Sequence, residues 1–266
     1  MGTNSFLKVL PEMVTFLRVA ELGSFSAAAD LLGMTPSAAS RQVKRLEKEI
    51  GAQLMVRISA PKAFARRVLH PHILDFLQRH PEVDVQLIVE DRDIDPIREG
   101  VDLVVRLTTK PPEGLVARQL MPVAHILCAS PRYLAQGAAI AHPRDLLAHS
   151  CLSLGEHERD NHWCFRKGDE DEAEVVVRGR YVSNHSEVRL EAALAGLGVA
   201  CVPAFMAQQA LKDGSVMRVL ADWEFQGNYN GHAYILYPPS RFTVPKCRVL
   251  IDHLLDALAT QRGRRK

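Results

Sequence analysis

Ser37, Ser40, Arg41 and Lys44 recur at spacings of three and four, and Gln42 and Arg45 flank them. On a helix such positions share a face. Hydroxyls, an amide and basic groups gathered there match the base edges and phosphates of a DNA major groove. A solvated amphipathic helix accounts for these charges but not for what surrounds them. Thr35 is a natural N-cap, and Pro36 stands at the first helical position, where a missing N–H costs nothing. Val43, Leu46 and Ile50 put an apolar stripe on the other side. Upstream, Ala27, Ala28, Leu31 and Leu32 form the apolar side of a shorter helix, and Gly33 supplies the backbone freedom of a tight turn. The predicted unit is a helix-turn-helix that reads DNA.

Charge placement carries this expectation, because bulk charge does not. The 266-residue chain has a formal net charge of only +2. Up to Ile50, six basic residues (Lys8, Arg18, Arg41, Lys44, Arg45, Lys48) face five acidic ones (Glu12, Glu21, Asp30, Glu47, Glu49). Four of the six lie on the second helix, so DNA affinity must come from position. The tail Arg262-Gly263-Arg264-Arg265-Lys266 reads as a solvated basic end. No apolar run is long enough to cross a bilayer, and Met1–Ser5 lacks the blocks of a secretory signal, so a cytoplasmic protein is expected. Cys128, Cys151, Cys164, Cys201 and Cys247 are odd in number and scattered, as suits reduced thiols.

A helix over 6–22 with a wide apolar stripe, its regular part starting near Pro11, packs on the helix pair. From residue 56 the rhythm becomes alternating strands and helices, the pattern of an α/β fold. Strands are predicted at Val56–Ser59, Val83–Val89, Val101–Leu107, Val123–Cys128, Val175–Val177, Tyr181-Val182, Val199–Val202 and Ala233–Tyr237. Helices are predicted at Lys62–Arg79, Ile97–Glu99, after Ser130-Pro131, at Ser186–Ala195 closed by Gly196, and at Pro245–Ala259. The acidic patch Gly168–Glu174 reads as a solvated hairpin tip.

Phe25-Ser26-x-Ala28-Ala29 followed by Ser40-Arg41-Gln42-x-x-x-Leu46-Glu47 resembles the winged helix-turn-helix of LysR-type transcriptional regulators. Met13–Ala20 resembles that family's first helix. Ser59-Ala60-Pro61, His80–Val83, Glu99–Leu103 and Ala193–Pro203 resemble its effector domain. The resemblance implies an N-terminal helix-turn-helix of winged-helix type, residues 1–55, followed by a two-lobed domain like periplasmic binding proteins, residues 56–262. Lobe I then comprises 56–122 and 228–262, lobe II 123–227, with 263–266 left as the basic tail. It also implies DNA contact by Ser26, Thr35, Pro36, Ser37, Ser40, Arg41, Gln42, Lys44 and Arg45.

In open α/β lobes ligands sit beyond the carboxyl ends of strands, where helix N-termini gather. Ser59 with Ala60, Ser130, and Ser183 with Asn184 stand at three such places, and Arg106 ends a strand where a guanidinium could hold a carboxylate. Simple capping explains each hydroxyl or amide equally well taken singly; the resemblance implies that they converge. Leu107 and Pro203 are expected as apolar walls. The predicted partners are DNA, a small anionic effector such as a carboxylate, and a second copy of the chain through effector-domain surfaces.

His157-x4-His162-x-Cys164 and His70-Pro71-His72 lack the spacing of a metal site. No phosphate loop, nucleophile elbow or supported carboxylate pair is present, so no cofactor, metal or catalytic residue is expected, and no enzyme. The chain departs from the family at one place. Leu54-Met55 runs directly into Val56–Ser59, with no counterpart of the basic wing tip or of the long linker helix that pairs two chains. The alternative function is therefore a ligand-binding module whose DNA binding is impaired.

Overall fold

The computed structural model describes residues 9–22, 25–50, 55–81, 83–169, 171–227, 230–239 and 245–263, with side chains at all of these but 44, 47, 48, 50, 245 and 260–263. Three helices open the chain: α1 (Leu10–Leu22), α2 (Phe25–Leu31) and α3 (Pro36–Ile50). Their small core is Val19, Phe25, Ala28, Ala29, Ala39 and Val43. The buried side of α2 is thus Phe25, Ala28 and Ala29; Ala27 and Leu31, expected inside, face outward. On α1, Thr15 and Val19 point inward while Leu10, Met13, Val14 and Leu17 stay exposed, so the expected wide stripe is buried along one edge only. Gly33 has φ +66°, and the N–H groups of Gly33 and Met34 close on the carbonyls of Asp30 and Ala29. That pair of bonds ends α2 in a Schellman turn and reverses the chain into α3.

Lobe I is a five-stranded sheet in the order β2-β1-β3-β12-β4. β1 (Met55–Ala60), β2 (Asp84–Val89) and β3 (Leu103–Thr108) run parallel, and β12 (Gly231–Tyr237) lies antiparallel between β3 and β4 (Val116–Val123). Helix α4 spans 62–79 as an α-helical start (Lys62–Phe64), a π turn (Ala65–Leu69) and an α-helical run (His70–Arg79). The π turn precedes Pro71, which has no N–H for the Arg67 carbonyl and whose ring would press on it. Phe64, Val68, Ile73 and Phe76 of α4 join Ile58, Leu103 and Ile235 in the core, as their spacing predicted, and α8 (Pro245–Gly263) adds Leu250 and Leu254.

Lobe II holds a four-stranded sheet, β10-β5-β9-β6, and a three-stranded one, β11-β7-β8. Its elements are β5 (His125–Ala129), α5 (Pro131–Gln136), β6 (Cys151–Leu152), β7 (His162–Lys167), β8 (Asp171–Val176), α6 (Ser186–Leu194), β9 (Val199–Pro203), α7 (Ala204–Lys212), β10 (Met217–Val219) and β11 (Glu224–Gln226). The chain enters lobe II between Val123 and His125 and leaves it between Gln226 and Gly231.

Several elements differ from expectation. Residues 97–99 are a turn, because the Asp95 carboxylate accepts the N–H groups of Ile97 and Arg98 and competes with helix formation. Tyr181 and Val182 are exposed and unpaired in any strand. The predicted strand Val123–Cys128 is two strands in different sheets, broken at Ala124. Asp171–Glu174 belong to β8, which leaves a shorter hairpin tip around Gly168. Strands β4, β6, β7, β10 and β11 and helix α7 have no counterpart in the sequence prediction. Residues 51–54, which alone stand between α3 and β1 and on which the expected absence of wing tip and linker falls, lie outside the described residues, as do the side chains of Lys44 and Ile50 and tail residues 264–266.

Candidate functional site

The DNA-facing candidate is the outer edge of α3. Thr35 Oγ1 accepts the Ala38 N–H at 3.2 Å, so the predicted cap is formed. Ser26, Thr35, Pro36, Ser37, Arg41 and Arg45 are exposed. Ser40 is not: at 9% exposure it lies on the packed side with Ala39 and Val43, which corrects its place on the expected outer stripe. Gln42 is drawn inward too. Its side-chain oxygen is placed 2.5 Å from Thr15 Oγ1, which is itself 3.1 Å from the Pro11 carbonyl. One hydroxyl proton serves one acceptor well. The shorter contact takes the proton, so Thr15 donates to Gln42 Oε1, with the Pro11 carbonyl the more distant acceptor. Gln42 thereby fastens α3 to α1.

A cleft of about 520 Å³ opens between the lobes. Pro61, Ala63, Arg106 and Leu107 line it from lobe I; Asn184, Arg189, Pro203, Trp163 and Phe225 line it from lobe II. Of the predicted effector residues, Arg106, Leu107, Asn184 and Pro203 therefore meet. Ser59 and Ala60 are buried at the end of β1, and the next residue, Pro61, reaches the cleft in their place. Ser183 contributes through its backbone, since its carbonyl accepts Arg189 Nη1 at 2.5 Å. Ser130 is at the wrong end of the lobe. β5 runs antiparallel to β9, with His125 beside Pro203 at the cleft, so Ser130 stands five residues away, or about 16 Å along an extended chain. It caps α5, accepting the Tyr133 N–H. For Ser130 the capping explanation holds.

The cleft carries charge of both signs, with Arg159 exposed and Asp160 half-buried. Asp91, Asp93, Glu156 and Glu174 line it from exposed positions. Asp91 pairs with Lys62, Asp93 with Arg106 at 3.0 Å, and Glu174 with His162 at 3.0 Å. Arg106 also donates to the carbonyls of Arg92 and Ile94, and burial lowers its pKa. Arg189 is only 4% exposed, and its guanidinium donates to the carbonyls of Cys201 (3.2 Å) and Ser183. Sequence reading missed Arg189, yet a signal existed: an arginine adjoining Leu190 on a helix whose buried face also carries Ala193. His125, Trp163 and Phe225 were missed because nothing local marks them.

His125 sits where the chain crosses between lobes. Its backbone N–H and its Nδ1 both lie within 3.0 Å of Asn230 Oδ1, across the return crossover, and Asn230 donates to the Phe225 carbonyl. Burial pushes the His125 pKa down to about 4, helped by Arg189 and opposed by Asn230. Unfolded, it titrates near 6.5. Its stabilising contribution is therefore present above pH 6.5 and lost as pH falls toward 4. Between pH 7 and pH 5 the loss is about 2 kcal/mol. Urea unfolding at the two pH values is expected to show this difference, and His125→Gln is expected to remove it; an equal acid loss in the variant would assign the effect elsewhere. The thiols add no comparable chemistry, since burial pushes Cys128, Cys151 and Cys247 up to about 12. Among the described residues no three His, Cys, Asp or Glu side chains are placed to hold a metal, and no helix is long and apolar enough to cross a membrane.

Residues 10–63 match the family model described as the bacterial regulatory helix-turn-helix protein, lysR family, and residues 51–259 the LysR substrate binding domain. The chain is 36% identical to the probable HTH-type transcriptional regulator LtrA of Klebsiella pneumoniae, across 95% of this chain and 96% of that protein. It is 26% identical to the HTH-type transcriptional regulator PtxR of Pseudomonas aeruginosa, across 95% and 94%. The Klebsiella alignment runs over 296 positions, whereas 95% of 266 residues is about 253, so about 43 positions stand opposite gaps in this chain. Among solved structures, the regulatory domain of AphB from Vibrio vulnificus is 28% identical with a TM-score of 0.65, covering 76% of this chain and 97% of that one. CrgA from Neisseria meningitidis, at 23% identity and a TM-score of 0.67 over 93% and 98%, shares the fold.

Proposed function

The chain belongs to the LysR family as a transcriptional regulator with an effector-binding domain, and we propose that it reads DNA with α3 and takes a small organic anion in its cleft. The relatives named above carry the names of transcriptional regulators, which supports a cytoplasmic, non-catalytic role. On α3 the reading edge is Ser37, Arg41 and Arg45, with Thr35 and Pro36 at its tip; Ser40 and Gln42 serve packing. Arg41→Ala is expected to weaken operator binding by about 1–3 kcal/mol and to relax preference at one base pair. Competition binding against a panel of single-base operator variants measures this. A loss uniform over the panel would make Arg41 a phosphate contact.

The observation that carries the anionic effector is the depth of Arg189. A guanidinium withdrawn from water at a cleft wall, with Arg106 lining the same cleft from lobe I, favours an anion. Of the cleft's carboxylates only Asp160 is half-buried, and it accepts the N–H groups of Glu156 and His157. The aromatic surfaces of Trp163 and Phe225 suit an apolar body attached to that anion. Thermal unfolding with a panel of small carboxylates, matched against their amides, tests it. Stabilisation by carboxylates and not by amides is expected; equal shifts would overturn the charge assignment.

The second function, a ligand-binding module with weakened DNA binding, is favoured by one feature: only residues 51–54 separate α3 from β1. A gel shift on the promoter beside its own gene separates the two. No shift at low salt, with ligand stabilisation intact, selects the second.

A further inference from the structure

From the contacts between the lobes we infer that Arg66, Arg67 and Glu187 form an ionic clasp that controls opening of the effector cleft. The inference rests on the cleft being the effector site, and it concerns how that site is regulated. Arg66 and Arg67 belong to α4 of lobe I, and Glu187 to the first turn of α6 in lobe II. Arg66 Nη1 lies 2.6 Å from Glu187 Oε2, and Arg67 Nη2 lies 2.9 Å from Oε1. Each carboxylate oxygen thus has its own guanidinium.

The local structure explains how two successive residues reach one partner. Neighbours on an α-helix point about 100° apart. Arg66 and Arg67 instead sit in the π turn Ala65–Leu69, whose wider circumference narrows the angle between successive side chains. Pro71 imposes that turn. Glu187 is favoured where it stands, because a carboxylate in the first turn of a helix meets the positive end of the helix dipole. Its side chain is 15% exposed, against 68% and 42% for the arginines, so the pairs are screened less than ordinary surface pairs.

The clasp stands at the lip of the cleft. Ala63, three residues before Arg66, and Ser186, adjoining Glu187, both line it. Behind it, Phe64 of lobe I meets the ring of Phe205 from lobe II edge-on, with centroids 5.7 Å apart. The lobes are also joined through the two chain crossovers, which His125 and Asn230 tie together. Opening the cleft about those crossovers separates Glu187 from both arginines, so the ion pairs bias the lobes toward closure.

A reporter that needs no effector is a tryptophan introduced by Phe205→Trp, because Phe205 of lobe II packs on Phe64 of lobe I. The native tryptophans are removed by Trp163→Phe and Trp223→Phe. Acrylamide, a neutral quencher, is then titrated against the full chain. In that background Glu187→Gln is expected to raise the quenching constant of the reporter by about 1.5- to 5-fold. Arg66→Gln with Arg67→Gln is expected to match it from the exposed side, which keeps the test valid if Glu187→Gln fails to fold. Raising salt to 1 M, where the screening length is about 3 Å, is expected to do the same to the unaltered clasp and nothing to the variants. Glu187→Arg combined with Arg66→Glu and Arg67→Glu is expected to restore protection. Equal quenching in the clasp-less and intact proteins, with folded circular dichroism spectra, would overturn the clasp. Because no effector is present, that result is independent of the carboxylate panel, which tests the cleft itself.

Discussion

Inserting a family linker helix between Ile50 and Met55 is expected to raise affinity for a paired operator by about 10²–10⁴-fold. Residues 51–54 are all that separate α3 from β1. Five steps of extended chain from Ile50 to Met55 span about 17 Å. The far end of this tether is also fixed. Lys246 Nζ donates to the Met55 carbonyl at 2.7 Å and lies 3.5 Å from Asp102, whose carboxylate accepts the Arg57 N–H at 2.8 Å. Half-sites read by paired helices lie about 34–36 Å apart. A recognition helix tied this closely to its own effector domain cannot be set at that spacing by a linker of its own. The chain is therefore expected to be a monomer or an effector-domain dimer, with salt-sensitive binding and little preference for a palindrome. Sedimentation and footprinting measure both properties before and after insertion. A tight dimer protecting two half-sites one helical turn apart, without the insertion, would refute this.

Arg189→Met is expected to remove most of the stabilisation by carboxylates and to cost about 2 kcal/mol of folding stability. The stability term follows from the carbonyls of Ser183 and Cys201, which lose their guanidinium donor. The binding term is larger in consequence. A ligand at a hundred times its Kd stabilises by about 2.7 kcal/mol, and losing a charge-assisted contact of about 1.5–3 kcal/mol removes most of that shift. Arg189→Lys keeps the charge but not the fork, so it is expected to retain a partial shift. Thermal unfolding with and without the carboxylate that scores best separates the terms. A folded Arg189→Met protein with an undiminished shift would remove Arg189 from the site.

The helix-turn-helix was legible because its signals are local. The Thr35 cap, Pro36 at the first turn and the left-handed Gly33 each act within four residues, and the structure forms all three. The family pattern on Phe25–Ala29, on Ser40–Glu47 and on the effector-domain segments carried the assignment of the chain. Strand β4 escaped notice because it is an edge strand, where Arg118, Gln119 and Pro122 are tolerated and no alternation survives. Hydroxyl position on α3 was also misjudged at Ser40, since spacing gives a face only to within about a turn's width and the packing of α1 chooses which edge is buried.

The cleft was a different kind of problem. Arg106 and Arg189 are far apart in the chain, and they meet only because lobe II is inserted between β4 and β12. Ser130 and His125 occupy opposite ends of one strand, and the antiparallel pairing of β5 with β9 decides which end faces the ligand. By itself the sequence determined the local devices, namely the Thr35 cap, the Gly33 turn and the helix-turn-helix, and with them the family. Only the tertiary structure decided which charged side chains share the cleft, because strand polarity and lobe packing depend on contacts between distant residues that no local spacing records.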